Sequence, residues 1–575
     1  MMDFSLKNPS SRNQDLLYVV LIIIISAGLR FWSIAYGLPA TYNSTEYFFV
    51  KHALSLGARK TLEPLYFIYP TFYLYFLALL YGCYFLIGVV FGWFTSTTDF
   101  AVQFLLHPEI FYLLGRAVSA VCIITSAVMV YKSGRIHLPS LWAFLITLIF
   151  INSLTIFEYT FWMVPDAFLV LGTSLVCYFI LKGFSETLSK REIIFASLIC
   201  GLTVSSKYNA GFLALGWLVY IYFFSAKHKR SRFFSTLLAL VMLMLGFFIG
   251  SPFWILSFSK FWAGFQMVVS QAHYAYNFEN SISYWWEIKN IITNEWLFGL
   301  MILTMMIFWL FKPHKYSIPF IVMVWPTFLY VGSWKKKGLD YLLIIFPIVI
   351  FYLVIWIRQY LSNDKMKHWI FLGLWLVVLL NFPRILYKNF LYNQPDTRQL
   401  ASDWIKDHYP AGSKICYDHY HYDLNIIDLN RFLTYGEGSK FLDSSIKEKL
   451  FQQEENYPDF QFISPQKKLL ASSLDDSLYA AIMNDSFLVQ AYRHPHKSLE
   501  ELMREGTDLL ILNSDTYVKY LKNATPSPAN PLRMDFIQRQ QFYRQILDSL
   551  SATKVFEPSL RTPGPTLPIY EMRRP

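Results

Sequence analysis

Apolar runs of about 20 residues recur along this chain, separated by short polar segments. The clearest cover residues 16–35, 110–131, 139–158, 166–184, 233–251, 295–311, 316–333, 339–357 and 368–387. Stretches of that length with few charges match the thickness of a bilayer core, so each predicts a membrane-crossing helix. Two shorter apolar segments, 193–204 and 209–224, flank the polar break TVSSKYNAG and predict a pair of crossings that meet there. Beyond about residue 392 the pattern changes. TRQLASDWIKDHY has helical spacing of Leu400, Trp404 and Ile405, while DLLILN (508–513) predicts a buried strand. TLPIYEM (566–572) predicts a final strand, set off by the turn former TPGP. Residues 440–500 are polar and irregular and define no element. The pattern therefore predicts an α-helical polytopic membrane protein with a C-terminal soluble α/β domain. Residues 1–391 form the membrane part and 392–575 the extracytoplasmic part.

Composition supports the membrane class: 55% of the 575 residues are hydrophobic, 19% aromatic and only 15% charged. The formal net charge of +11 does not indicate nucleic acid, because the Lys and Arg residues fall mostly in short loops between apolar runs. Those loops also settle the reading of residues 67–93, FIYPTFYLYFLALLYGCYFLIGVVFGW, which are long enough to span but rich in Tyr, Phe and Gly. If this stretch lies in or dips into the interface, and the N-terminus is cytoplasmic, the clusters at Lys132/Arg135, Lys182/Lys190/Arg191, 227–232, Lys312/Lys315 and Arg358/Lys365/Lys367 all become cytoplasmic. If it spans, they are all forced outside. The first topology obeys the positive-inside rule and gives about eleven transmembrane helices plus juxtamembrane helices. It describes a multi-pass protein, of a bacterial cytoplasmic membrane, with the N-terminus inside and the C-terminal domain outside. A cysteine-accessibility scan that placed residue 229 outside would overturn it. The first segment has no small-residue cleavage site behind it and reads as a signal anchor.

Under this topology several ionisable groups gather on the outer face. Glu46 opens the amphipathic stretch EYFFVKHALSLG behind Asn43 and Ser44. A helix-dipole role accounts for it as well as a role as general base or carboxylate anchor does. Asp166, in VPDAFLVL, heads a span behind Pro165, where capping competes with function; an acid at a membrane boundary is costly unless paired or used. Lys207 lies in the polar break, able to snorkel or to meet a phosphate as a point charge. Lys335, Lys336 and Lys337, in WKKKGLDY, break the positive-inside pattern and point to an anionic partner such as a lipid phosphate, with simple tolerance of an exception as the alternative. Thr45, Tyr208, His273 and Tyr341 complete the set as candidate lining residues. The His419 and His421 pair in CYDHYHYD lacks a third spaced ligand, so no metal site is assigned. Acids at span ends and the absence of a repeat disfavour a transporter.

The ordered set LRFWSIAYGLP, YPTFYLYFLALLYG, LLGRAVSAVCIITSAVMVY, VPDAFLVL, GLTVSSKYNAG, GSPFWIL, LDYLLIIFPIVIF, DTRQLASDWIKDHYPAGSKI and PGPTLPIYEM resembles the polytopic type-C glycosyltransferases that use polyprenyl-phosphate sugar donors. Within that class it is similar to bacterial relatives of protein O-mannosyltransferases and of the lipid A aminoarabinose transferase. The resemblance covers essentially the whole chain. It implies a hexosyl- or pentosyltransferase acting on a polyprenyl-phosphate sugar and an extracytoplasmic acceptor such as a protein, lipid or glycan. The lipid-linked donor serves as co-substrate, no other cofactor is expected with a divalent metal left open, and no nucleic acid is involved. It implies Glu46 and Asp166 as catalytic residues and Lys207 and Lys335–Lys337 as donor-phosphate ligands. The family's first loop carries an Asp-Glu pair, and aligning NSTEY with it puts Thr45 at the Asp position and Glu46 at the Glu position. A threonine hydroxyl is no base at neutral pH without its own activator. A catalytically inactive lipid-linked-sugar binder, or an accessory subunit of surface-glycan assembly, is therefore the alternative. The family's basic residue before Tyr341 is replaced by Asp340.

Overall fold

The computed structural model describes residues 12–572 apart from 66, 226–227, 275–282, 362, 420–422, 427–448, 450–459, 464–496, 524 and 526–532. Its helices, in order, are α1 (Arg12–Phe31), α2 (Ser44–Ala58), α3 (Phe72–Val90), α4 (Thr97–Leu106), α5 (Glu109–His137), α6 (Ser140–Ile151), α7 (Leu154–Phe161), α8 (Asp166–Ser185), α9 (Lys190–Val204) and α10 (Gly211–Phe224). They continue with α11 (Lys229–Gly250), α12 (Phe253–Leu256), α13 (Phe258–Tyr274), α14 (Ser283–Glu295), α15 (Leu297–Phe311), α16 (Ile318–Gly332), α17 (Ile345–Tyr360), α18 (Asp364–Tyr392) and α19 (Thr397–His408). Among the described residues six helices are long and apolar enough to cross a membrane, with α6 and α7, bent by 53° at Asn152–Ser153, as a further broken span. The chain is a multi-pass membrane protein. A count near eleven requires α9, α10, α15, α16 and α17, of 14–16 residues, to cross as well.

Buried apolar side chains from α1, α5, α6, α8, α10 and α15 to α18 make one continuous core. Close approach relies on small residues, as is usual between helices in a membrane. A Cβ at Gly201 of α9 would lie 2.1 Å from the Leu243 carbonyl oxygen of α11, and one at Gly246 would lie 2.3 Å from that of Leu198.

The directions of the helices sort the charges. Arg135, at the end of α5, pairs with Asp15 at the start of α1. Lys182, at the end of α8, pairs with Glu192 at the start of α9, and Arg358, at the end of α17, donates to the His137 carbonyl. The basic clusters of α5, α8, α9 and α17 therefore collect at one end of the bundle. At the opposite end α5 and α8 begin and α9 and α11 finish.

Helix α3, nineteen residues long, passes the length and hydropathy test for a span, but its neighbours place it along that second end. The Thr71 hydroxyl donates to the Gly250 carbonyl and the Phe72 amide to that of Ser205, at the ends of α11 and α9. Ten residues on, the Tyr81 hydroxyl contacts the Phe111 carbonyl and the Met163 sulfur, where α5 starts and just ahead of α8. Both ends of this stretch thus sit at one level of the bundle, the course of an interfacial helix.

The C-terminal part carries a five-stranded sheet of order β2-β1-β3-β5-β4, with β1 (Lys414–Tyr417), β2 (Gln461–Ile463), β3 (Leu509–Ile511), β4 (Lys554–Phe556) and β5 (Leu567–Glu571). Strand β1 runs parallel to β2 and β3, and β5 antiparallel to β3 and β4. Helix α19 packs on this sheet through Ala401 and Ile405.

Candidate active site

Two acid–base clusters lie at the end of the bundle where α5 and α8 begin. The first is sealed. Asn43 caps α2 by accepting the Thr45 amide, which sets Glu46 in the first turn. Both Glu46 carboxylate oxygens meet Arg116 of α5, Nε at 2.8 Å and Nη2 at 2.7 Å, and Oε1 also accepts the Met163 amide at 2.7 Å. Arg116 Nη1 donates to the Ile34 and Tyr36 carbonyls, so four of its five N–H groups are used, and its guanidinium lies 4.9 Å from the Trp162 ring centre. Both side chains are fully buried. A bidentate, desolvated pair of this kind fixes geometry and leaves no room for a third party.

The second cluster is open. Pro165 and Asp166 start α8, and the polar break after α9 brings Lys207 to them. Lys207 Nζ donates to Asp166 Oδ1 at 2.7 Å and to the Asp340 carbonyl at 3.2 Å, and Asp340 Oδ2 stands 3.6 Å away. The side chains of Lys207 and Asp166 are 10% and 9% exposed, whereas Asp340 is 28% exposed. Burial works against the Lys207 charge, but Asp166 and Asp340 outweigh it and hold the ammonium protonated above its ordinary range. Of the two carboxylates around this ammonium, Asp340 is the one that reaches solvent. Lys336 supplies a second cation: its Nζ and that of Lys207 lie 5.4 and 5.6 Å from the Tyr341 ring centre. Burial pushes the Lys336 ammonium below its ordinary range, with Asp340 pulling the other way. A partly desolvated cation of that kind gains from a further anion. Asn209 donates to the Tyr341 carbonyl and fixes the loop from beneath.

The remaining candidates separate. Lys337 is engaged with Glu287 of α14 at 3.0 Å, both side chains almost fully buried, and is therefore a tie between the lysine run and α14. Burial raises the Glu287 carboxyl above its ordinary range, with Lys337 opposing. Lys335 is exposed, and the Lys335 and Lys336 amides both donate to the Ala272 carbonyl of α13. The neighbouring His273 has its side chain outside the described residues. Tyr208 points its hydroxyl at the Phe67 carbonyl and its ring at Phe265 of α13. Thr45 is half-buried in the first turn of α2. Arg116 escaped the sequence reading, although an arginine inside an apolar run is itself the signal. Asp340 stood out only as a departure from a family pattern. His419 pairs with Asp423, and His421 lies outside the described residues. Among the described residues no group of three or more His, Cys, Asp or Glu side chains is placed to hold a metal ion.

Residues 113–256 match the dolichyl-phosphate-mannose-protein mannosyltransferase family. The matched segment holds Arg116, Asp166 and Lys207 and leaves out Thr45, Glu46 and Asp340. No curated protein matches the chain. Among solved structures, the chain is similar to ArnT from Cupriavidus metallidurans bound to undecaprenyl phosphate, at 10% identity and a TM-score of 0.46, covering 98% of each chain. It is also similar to the Archaeoglobus fulgidus oligosaccharyltransferase, at 10% identity and a TM-score of 0.46, over 92% of this chain and 73% of that one. The likeness to the S. cerevisiae protein O-mannosyltransferase Pmt1-Pmt2 complex bound to the sugar donor has a TM-score of 0.32 and 16% identity, over 43% of this chain and only 34% of the yeast chain. Scores and identities this low leave function to the geometry of the site.

Proposed function

We propose that the chain is a membrane-embedded glycosyltransferase that moves a hexose or pentose from a polyprenyl-phosphate donor to an extracytoplasmic acceptor, working at the open cluster. The observation that carries the proposal is a partly exposed carboxylate, Asp340, beside a buried Lys207–Asp166 pair and a partly desolvated Lys336 at the head of the spans. The basic clusters at the opposite end of the bundle orient that end toward the cytoplasm by the positive-inside rule, which puts the site outside. A donor anchored in the bilayer then delivers its phosphate at the level of the lysine run.

In this mechanism Lys336 and Lys335 meet the donor phosphate, and Lys207, held charged by Asp166, stabilises the charge that develops on it. The bond from the sugar anomeric carbon to the phosphate oxygen breaks, with its electron pair left on the phosphate. The acceptor oxygen or nitrogen bonds to the opposite face of that carbon, inverting it, and the acceptor proton passes to the Asp340 carboxylate. Asp166 acts on Lys207. Glu46, earlier a candidate base, is assigned instead to holding the first loop on α5, because Arg116 and the Met163 amide occupy its oxygens. Tyr341, whose ring lies against Lys207 and Lys336, lines the approach.

Purified protein in lipid, given labelled sugars on polyprenyl phosphate, is the test. Release of polyprenyl phosphate with label passing to an acceptor supports the proposal, with a loss of about 100-fold or more in Lys207→Ala. Neither binding nor turnover of any hexosyl or pentosyl donor would refute it. Thr45 favours a second reading, in which the chain binds the donor without turning it over. Tight donor binding with no transfer, and transfer gained by Thr45→Asp, would identify that case.

A further inference from the structure

The first loop is gripped from the C-terminal part of the chain by a charged joint around Asp396 and Arg398. Asp396, directly before α19, is 1% exposed, and Arg398 is 7% exposed. The Asp396 carboxylate accepts Arg398 Nε at 2.8 Å, Arg398 Nη2 at 3.0 Å and the Arg398 amide at 2.9 Å, so it caps α19 and holds its own arginine. It also accepts the Tyr36 hydroxyl at 2.6 Å, across 360 residues of chain. The Arg398 guanidinium then lies over the Tyr42 ring, 3.5 Å from its centre. Tyr36 stacks on Tyr392, with centroids 4.2 Å apart and planes 7° from parallel.

The opposite side of the joint is built for close contact. Thr397 donates its amide to the Pro563 carbonyl and its hydroxyl to that of Pro565. Gly564 between them, at φ +113°, has no space for a side chain: a Cβ there would stand 2.2 Å from Thr397 Oγ1 and 2.5 Å from Asp396 Oδ1. TPGP is thus more than a turn; it backs the carboxylate that reaches Tyr36. From Tyr36 the chain of contacts continues, since its carbonyl accepts Arg116 Nη1 at 2.8 Å and Arg116 holds Glu46. A second attachment links Lys449 of the C-terminal part to Asp99 of α4.

We infer that Asp396 and Arg398 are positioning residues, which through Tyr36 and Tyr42 fix residues 36–46 beside the open cluster and so make the C-terminal part a working element of the site. A tail that merely rested on the membrane part would not need a buried carboxylate with three separate tasks, since unpaired polar groups are costly to bury. Only the activity arm of the test rests on the function proposed above.

The test is hydrogen exchange on the full chain in lipid, with Asp396→Asn, Arg398→Lys and the milder Tyr36→Phe. Peptides covering residues 36–46 should exchange about tenfold faster or more in the first two variants and less markedly in the third, with β1, β3, β5 and α8 unchanged. Unchanged protection of 36–46 in Tyr36→Phe and Arg398→Lys would overturn the inference. So would protection lost evenly through the C-terminal strands, the signature of a residue that only stabilises its own fold. If the chain transfers sugar, Tyr36→Phe should lower kcat several-fold with the donor KM held, the pattern of a misplaced loop and not of lost donor contact. A rise in donor KM at constant kcat would contradict it. A chain that transfers no sugar leaves the exchange result, and this inference, to be decided independently.

Discussion

The two acid–base clusters at the head of α5 and α8 use similar parts to different ends. Around Arg116 two charges cancel, both side chains are fully buried, and the carboxylate oxygens are taken by protein. Around Lys207 two carboxylates share one ammonium, and one of them, Asp340, remains partly in solvent. Burial alone therefore does not mark a reactive acid. A charged cluster that is largely buried yet still reachable from solvent does, because a ligand can join it.

Lys207→Ala leaves Asp166 and Asp340 as two facing carboxylates and should abolish transfer, by about 100-fold or more, measured as labelled product per folded molecule. Glu46→Gln or Arg116→Ala should instead act on the fold, since breaking a buried pair costs about 3–5 kcal/mol. The amount of detergent-stable protein should fall, and thermal unfolding by intrinsic fluorescence should shift down. Lys337→Ala strands the Glu287 carboxylate and should cost about 2–3 kcal/mol of local stability, read as faster hydrogen exchange in α14 with little change in α5. Lys335→Ala, at an exposed cation, should raise the donor KM only several-fold, and added salt should narrow the difference. If Lys335→Ala proved as severe as Lys207→Ala, the division between buried and exposed cations would fall.

Much of this organisation was legible in the sequence. Pro165-Asp166 marks the start of α8, the spacing of Leu400, Trp404 and Ile405 marks α19, and DLLILN and TLPIYEM contain β3 and β5. Positive loop charge correctly grouped the basic segments of α5, α8, α9 and α17 at one end, because that preference acts locally on each loop. The rest depended on distant partners. Residues 139–158 read as one span, yet the chain breaks at Asn152–Ser153, where the Glu295 carboxylate accepts the Ser153 hydroxyl and the Thr155 amide from more than 130 residues away. Lys207 and Asp166 were visible as ionisable groups at span ends, but Asp340 as the third member lies 133 residues further on. Lys337 looked like a phosphate ligand only because Glu287 gave no sign that it would meet it. Arg116 was the readable omission.

Asp340, the partly exposed carboxylate of the open cluster, is proposed to take the acceptor proton. The decisive measurement is single-turnover transfer from a labelled polyprenyl-phosphate sugar in Asp340→Asn and Asp340→Glu, with donor binding measured on the same samples. Donor binding should be unchanged in both, the rate about 100-fold lower in the Asn variant and partly recovered in the Glu variant. Wild-type transfer by Asp340→Asn would contradict it.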